Sequence, residues 1–301
     1  MPIAHSRFAE AGTITVNTET CNHCGLCVRT CPGDVLRLDG ERVVQQPGDF
    51  GCIACGHCMM VCPTASITVT GRGASPADLR ELPPRSERAT ADALAALLRA
   101  RRSVRRFGPG EVERSVLEQI VELAATAPIG IPPWDVGCVV VQGRPAVQRL
   151  AARVVEGYAS FQRIFRPWVL TLMRPFVKRG MYEQFRTFVL PLAEKLVAHR
   201  AAGKDVLFWD APALLIFHHS PYAQAEDAAI ACTYAMLAAE SHGLGSTMIG
   251  SAGPILQRDA ALSREYGIPA GHKAALVLIL GHPAVTFQRT VQRQFVDVHW
   301  A

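Results

Sequence analysis

Several features are scarce in these 301 residues. No apolar run approaches the ~20 residues of a membrane-spanning helix. The densest, Ala274–Leu280, is of strand length. The opening Met1-Pro-Ile-Ala-His-Ser-Arg has no apolar stretch of the kind an export signal carries. A cytoplasmic location is therefore expected. A formal charge of +5 is modest and comes with no nucleic-acid-binding motif. No G-x-G-x-x-G fingerprint is present, so a Rossmann-type nucleotide site is not expected. Much of the basic excess is arginine near residues 71–106 and 149–200, which suits a phosphate or an acidic partner.

Cysteine, by contrast, is abundant. Eight of the ten fall in two runs, Cys21-x2-Cys24-x2-Cys27-x3-Cys31-Pro32 and Cys52-x2-Cys55-x2-Cys58-x3-Cys62-Pro63. The second repeats the first 31 positions later. Zinc sites favour paired Cys-x2-Cys knuckles, and disulfides belong to exported proteins. Triplets with a fourth cysteine three residues on fit neither. They match the spacing that holds [4Fe–4S] clusters. From about Thr13 to Val69 the segment resembles bacterial two-cluster ferredoxins, including the flanking runs Thr13–Val16, Val35–Leu38 and Ser66–Val69. In that family the last cysteine of each run ligates the other cluster. The resemblance thus implies one metal set of Cys21, Cys24, Cys27 and Cys62, and another of Cys52, Cys55, Cys58 and Cys31. Gly25 and Gly56 allow close backbone approach in the ligand loops. His23 and His57 lie within those loops and are read as solvent-facing. Cys138 and Cys232 are read as core residues.

The expected organisation is a ferredoxin domain over 1–72, a Pro/Gly/Ser-rich linker over 73–90 and a larger domain over 91–301. The periodicity predicts helices at about 91–101 and 112–126, and strands at 136–141, 213–217 and 276–280. Pro221 is read as opening a long helix that Gly243 closes. Residues 155–203 read as helical but interrupted at Pro167, Pro175, Gly180 and Pro191. Gln294–Val298 reads as a final edge strand. Loosely alternating strands and helices make the second domain α+β.

Four motifs in order resemble the nitroreductase superfamily over roughly residues 90–301. They are Arg101-Arg102-Ser103-Val104-Arg105-Arg106-Phe107; Ala127-Pro128 with Pro133-Trp134; Asp227 through Ala239 ending in Gly243–Gly250; and Leu280-Gly281-His282-Pro283 with arginines beyond. The fused order is similar to ferredoxin-domain members of that family. The resemblance implies an FMN-binding homodimer. Its basic motif would hold the flavin phosphate through Arg101, Arg102, Ser103 and Arg105, guanidinium forks being suited to phosphate. Arg289 and Arg293 are both candidates for a further basic contact. The loop Met248–Ser251 would run along the flavin edge, with Ile249, Gly250 and Ser251 in contact. Pro128, Ile129 and Gly130 would approach from the partner subunit. The usual asparagine of that loop is missing here, which points away from ordinary nitroreductase substrates.

The resemblance implies no catalytic side chain, since the flavin carries the chemistry. The expected activity is an iron–sulfur flavoprotein oxidoreductase. Electrons would come from a low-potential donor such as reduced ferredoxin, or from NAD(P)H. They would reach a nitroaromatic, quinone or related conjugated acceptor. A specialised ene-type reductase and an electron-transfer or redox-sensing flavoprotein without turnover are the alternatives. The arginine- and aromatic-rich segment Phe161–Phe188 reads as a lid, with plain helical packing as its alternative. His218 and His219 read as satisfied buried histidines.

Overall fold

A computed structural model describes residues 11–48, 51–128, 130 and 135–300. The chain divides into two compact units. One comprises residues 1–88 with 128–137 and 219–227, and the other comprises 89–127, 138–218 and 228–301.

The first unit is built on the repeat. Strand β1 (Thr13–Val16) leads to helix α1 (Leu26–Thr30) and strands β2 (Leu36–Asp39) and β3 (Arg42–Gln45). Helix α2 (His57–Val61) and strand β4 (Ile67–Thr70) follow. β1 pairs antiparallel with β4, Ile14 opposite Val69, and β2 pairs antiparallel with β3. Alternation places Ile14, Ile67 and Val69 inside with Val35, Leu36, Val43 and Met59. The β2–β3 hairpin turns on Gly40 and Glu41, with Gly40 at φ +60 as a two-residue turn of the II′ kind requires. The short β3 went unpredicted because polar residues flank its two valines. Repeat-related backbones agree closely: Gly25 and Gly56 have φ +69 and +73, His23 and Ala54 +61 and +56, Asp34 and Ala65 +49 and +50.

The expected linker is not featureless. It holds 3-10 turns at Pro76–Asp78 and Arg85–Glu87. Ser75 and Asp78 form a reciprocal cap on the first of these.

In the second unit, helices α3 (Ala91–Ala100) and α4 (Arg114–Ala124) precede strand β5 (Val136–Gln142). The Thr90 hydroxyl accepts from the Ala93 amide at 3.2 Å and starts α3. Helix α5 (Arg144–Ile164) then buries Val147, Leu150, Ala151, Val154, Tyr158 and Phe161 along one stripe. Helices α6 (Pro167–Met173) and α7 (Arg179–Gln184) come next, and a π-helical turn at Phe185–Val189 leads into α8 (Leu190–Ala201). Pro167 opens α6 and Pro191 falls in the first turn of α8, as the missing N–H allows. Gly180 was expected to interrupt the segment; it lies within α7 instead.

Strand β6 (Ala213–His219) is buried throughout. Helix α9 (Ala225–Ser241), strand β7 (Gly245–Ile249), short helices α10 (Gly253–Arg258) and α11 (Ala260–Glu265), and strand β8 (Lys273–Gly281) complete the order. The sheet runs β5-β6-β8-β7, with β7 antiparallel to β8. Leu214, Ile216, Val277 and Ile279 share a core with α5, α8 and α10. Leu215, Phe217, Leu278 and Leu280 alternate to the other face and are equally buried. Both faces are covered, as the α+β expectation holds.

Two expected elements differ. Helix α9 begins at Ala225 rather than at Pro221, because the Ser220 hydroxyl accepts from the Tyr222 amide and holds a turn there. Gln294–Val298 forms no strand among the described residues; the segment is fully exposed, with no neighbouring strand to satisfy its backbone.

At Gly245 an added methyl would sit 2.5 Å from Val104. Gly245→Ala is expected to destabilise the second unit by about 1–3 kcal/mol through overpacking. Val104→Ala in the same chain should recover part of that loss. Chemical-denaturation midpoints check this, and strictly additive costs would refute the clash.

Candidate functional site

Each cysteine set lines its own cavity. One is bordered by Cys31, Cys52, Cys55 and Cys58 with Ile14 and Val69. The other is bordered by Cys21, Cys24, Cys27 and Cys62 with Val43 and Ile67. The fourth cysteine of each run thus faces the triplet of the other run. Gly25 and Gly56, both in left-handed geometry, start the helices that carry Cys27 and Cys58. Burial pushes the Cys58 thiol up to about 11 and raises those of Cys27 and Cys52. Cys62 is the exception: against the effect of burial, bonds from the Thr64 hydroxyl and the Ser66 amide, the latter at 3.2 Å, hold it low. Thiols gathered and partly buried in this way fit an iron cluster, whose metal charge deprotonates coordinating sulfur. His23 and His57 are exposed. They are not related by the repeat, in which His23 matches Ala54 and His57 matches Leu26.

In the second unit, the basic segment 101–107 lies beside strand β7. Ser103 bridges Ser246 in parallel register, and the Val104 amide donates to Ser246 at 3.0 Å. The Thr247 hydroxyl donates back to the Val104 carbonyl at 2.7 Å. Further on, the Gly108 amide donates to His282 at 2.8 Å and the Ala284 amide to Arg106 at 2.9 Å. Opening and closing motifs, far apart in sequence, are thereby stitched together.

Extended geometry splits the basic residues between two faces. Val104 is buried and Arg102 half-buried on one side, while Ser103 and Arg105 are exposed on the other. Arg102 lines a cavity of about 420 Å³ with Arg99, Glu240, Gly243, Gly245 and Arg289. Its Nη2 is buried without a partner, as is the Ser246 hydroxyl. Arg101 is half-buried, and burial followed by the charges of Arg102 and Arg293 lowers its pKa. Burial raises the Glu240 carboxyl, and Arg101 and Arg102 oppose that rise. One carboxylate therefore stands against several guanidinium groups. This neighbourhood fits the phosphate of a flavin nucleotide.

Beyond β7, the chain passes Gly250 and Ser251 into α10. The Tyr158 hydroxyl, whose pKa burial raises to about 12, donates to the Ser251 carbonyl at 2.6 Å. At Gly253 any side chain would press on the Ala275 carbonyl at 3.0 Å. Backbone 250–253 is thus pinned from beneath. Sequence reasoning missed Tyr158; its place on the buried stripe of α5, at the same helical face as Val154 and Phe161, was the available signal.

Pro128 and Gly130 are exposed, and the Gly130 amide donates to Asp227 at 3.3 Å. Ile129 lies outside the described residues, as does the Pro133-Trp134 pair. His218 and His219 are both buried and satisfied: His218 meets His272 at 2.9 Å, and His219 meets the Ser220 and Ala223 carbonyls. Burial raises Cys138 and Cys232 to about 12, leaving both thiols protonated and chemically quiet.

Comparison with known proteins identifies both parts of the chain. Residues 98–282, more than half the chain, match the model of the nitroreductase family. Residues 13–63 match that of the 4Fe-4S dicluster domain. Among solved structures, a nitroreductase with bound FMN from Bacteroides fragilis is 21% identical, with a TM-score of 0.53. That match covers 69% of this chain and 98% of the other. A nitroreductase with bound FMN from Desulfitobacterium hafniense is also 21% identical, with a TM-score of 0.49 over 68% of this chain and 97% of its own. No curated protein matches the chain. Among the described residues no helix is long and apolar enough to cross a membrane.

Tyr158→Phe removes one buried hydrogen bond and leaves the Ser251 carbonyl without its donor. A stability loss of about 1–3 kcal/mol is expected, with iron content unchanged. Thermal melting and iron analysis of the variant check both; a loss of iron would contradict the assignment of Tyr158 to the second unit alone.

Proposed function

The chain belongs to the nitroreductase family, and we propose that it is an FMN-dependent oxidoreductase supplied by its own two [4Fe–4S] clusters. When bound, the clusters carry single electrons and FMN stores two, joining a low-potential donor such as reduced ferredoxin to a nitroaromatic, quinone or related conjugated acceptor. Cys21, Cys24, Cys27 and Cys62 hold one cluster, and Cys52, Cys55, Cys58 and Cys31 the other. A cytoplasmic setting suits such oxygen-sensitive groups.

The observation that carries the flavin assignment is the half-buried Arg101 flanked by Arg102 and Arg293, with Glu240 alone in opposition among the described residues. Unmatched charge of this kind is costly unless an anion completes it. Arg101, Ser103 and Arg105 take the phosphate, and Arg102, Arg289 and Arg293 add positive charge around it. Backbone at Ile249, Gly250 and Ser251 borders the ring, its position fixed by Tyr158. In a homodimer, Pro128, Ile129 and Gly130 of a second copy complete the site. Their apolar character and the lack of an asparagine favour a specialised acceptor. The segment Phe161–Phe188 acts as the lid, held where the rings of Phe161, Phe165 and Phe185 pack with centroids 4.2–5.7 Å apart.

Arg101→Gln is expected to weaken FMN binding about tenfold or more, the usual worth of a charge-assisted bond. Fluorescence titration of the flavin-free variant measures it, and unaltered affinity would remove Arg101 from the site. Anaerobic mixing with reduced ferredoxin, NADH or NADPH identifies the donor. Rapid flavin bleaching by ferredoxin alone is the expected result. Rapid bleaching by a nicotinamide, with ferredoxin inert, would overturn the proposed direction of electron supply.

A further inference from the structure

One stretch of the chain is empty of carboxylates. Between Glu156 and Glu183 the sequence holds Arg163, Arg166, Arg174, Lys178 and Arg179 and no acidic residue. All five cations are exposed. None of them pairs with a carboxylate among the described residues. The two flanking acids are engaged elsewhere, Glu156 with Arg153 at 3.7 Å and Glu183 with Arg186 at 2.9 Å. Arg174 lies over the Tyr182 ring instead, 5.9 Å from its centroid.

The same stretch exposes large apolar side chains. Ile164, Trp168, Leu172, Phe176 and Met181 are each at least 50% exposed, and Phe176 reaches 86%. Trp168 and Leu172 stand one turn apart on α6, hence on one face. Phe176 sits in the turn before α7, and Met181 lies within α7. The segment packs through other rings, with Phe165 and Phe185 meeting each other and Phe161 at the end of α5. The exposed groups are what that packing leaves over.

Cations interleaved with large apolar groups call for a partner that is anionic and oily at once. An acidic protein would answer the charges and leave Trp168 and Phe176 without apolar contact. The headgroups of an anionic bilayer answer the charges, and its acyl chains receive the apolar groups beneath them. Tryptophan favours that boundary. The long stems of Arg and Lys let their charged heads stay among the headgroups while the neighbouring side chains go deeper. We propose that residues 164–181 form a docking surface for an anionic lipid bilayer, on which the chain lies without crossing it. Short helices and a turn suit such a surface, because a fluid partner demands no matching groove. The proposal goes beyond the flavin assignment and does not rest on it.

Flotation with vesicles tests this on the full, cofactor-loaded chain. Vesicles of phosphatidylcholine with about 30% phosphatidylserine should carry the protein upward, and vesicles of phosphatidylcholine alone should carry far less. Binding should weaken as salt rises, since exposed charges are screened. Each Lys or Arg near an anionic surface is worth about fivefold in partitioning. Arg174→Gln, Lys178→Gln and Arg179→Gln together should therefore weaken binding on the order of a hundredfold. Trp168→Ser with Phe176→Ser should weaken it at least about tenfold, through lost apolar burial. Circular dichroism and iron content establish that each variant is folded. Should the apolar pair fail to fold, Phe176→Ser alone decides, because that ring has little packing to lose. No binding to the anionic vesicles, equal binding to phosphatidylcholine alone, or unaltered binding by either variant would overturn the proposal. Unaltered binding without Trp168 and Phe176 would leave only the attraction of a basic patch for any polyanion, an acidic protein included. Sedimentation of the wild type and the apolar variant examines a second copy as the occupant. Dissociation of a dimer in that variant would assign the face to contact between copies and overturn the proposal, whatever the vesicles show.

Discussion

Burying groups of one kind together, with little protein counter-charge, is unfavourable, and this chain does it at its cysteine and arginine sites. Four cysteines line each of two cavities, and burial raises the thiols of Cys27, Cys52 and Cys58. Several arginines surround a cavity that offers one carboxylate, and a guanidinium nitrogen of Arg102 has no partner. Such arrangements are incomplete as protein and become favourable when a cofactor of opposite character enters. The cost falls on the folded chain before loading, so cofactor binding and stability are linked at each site.

Repetition built the iron–sulfur unit, and departures from repetition individualise its halves. Matching left-handed residues at His23 and Ala54, at Gly25 and Gly56, and at Asp34 and Ala65 give both ligand loops one path. The environments then diverge. Thr64 and Ser66 donate toward Cys62, where the repeat places Gly33 and Val35 beside Cys31. Arg72 is buried where its counterpart Glu41 is exposed. Symmetry in the backbone gives both cysteine sets one geometry, and asymmetry in the side chains gives them different surroundings.

The flavin-side architecture depends on one extended segment. Residues 101–107 gain their position from β7 on one side and from residues 282–284 on the other. Glycine at 245 admits Val104, and Thr247 closes the contact. Tyr158, from the core face of α5, supports the Ser251 backbone at the far end. A rigid frame of this sort suits a family whose protein groups position a cofactor rather than react themselves.

Much of this was legible in the linear chain. Cysteine spacing is a local property, because the ligand loop closes within a few residues, so the cluster triplets could be read directly, while the crossed fourth ligands followed from the resemblance to two-cluster ferredoxins. Long amphipathic helices such as α5, and the apolar strands β6 and β8, announced themselves by period. What depended on distant partners did not. The valine pair of β3 is a strand only because β2 lies beside it, and Gln294–Val298 is none because nothing among the described residues pairs with it. Pro221 could open a helix in isolation, yet the Ser220 hydroxyl holds a turn in its place. Tyr158 looked like any core residue of an amphipathic helix. Arg72 read as the last residue of the ferredoxin domain, and only folding showed it buried. Residue type and spacing determined which cofactors this chain can hold; tertiary packing alone decided which charges are buried beside them, because burial is a property of neighbours that the sequence brings together from far apart.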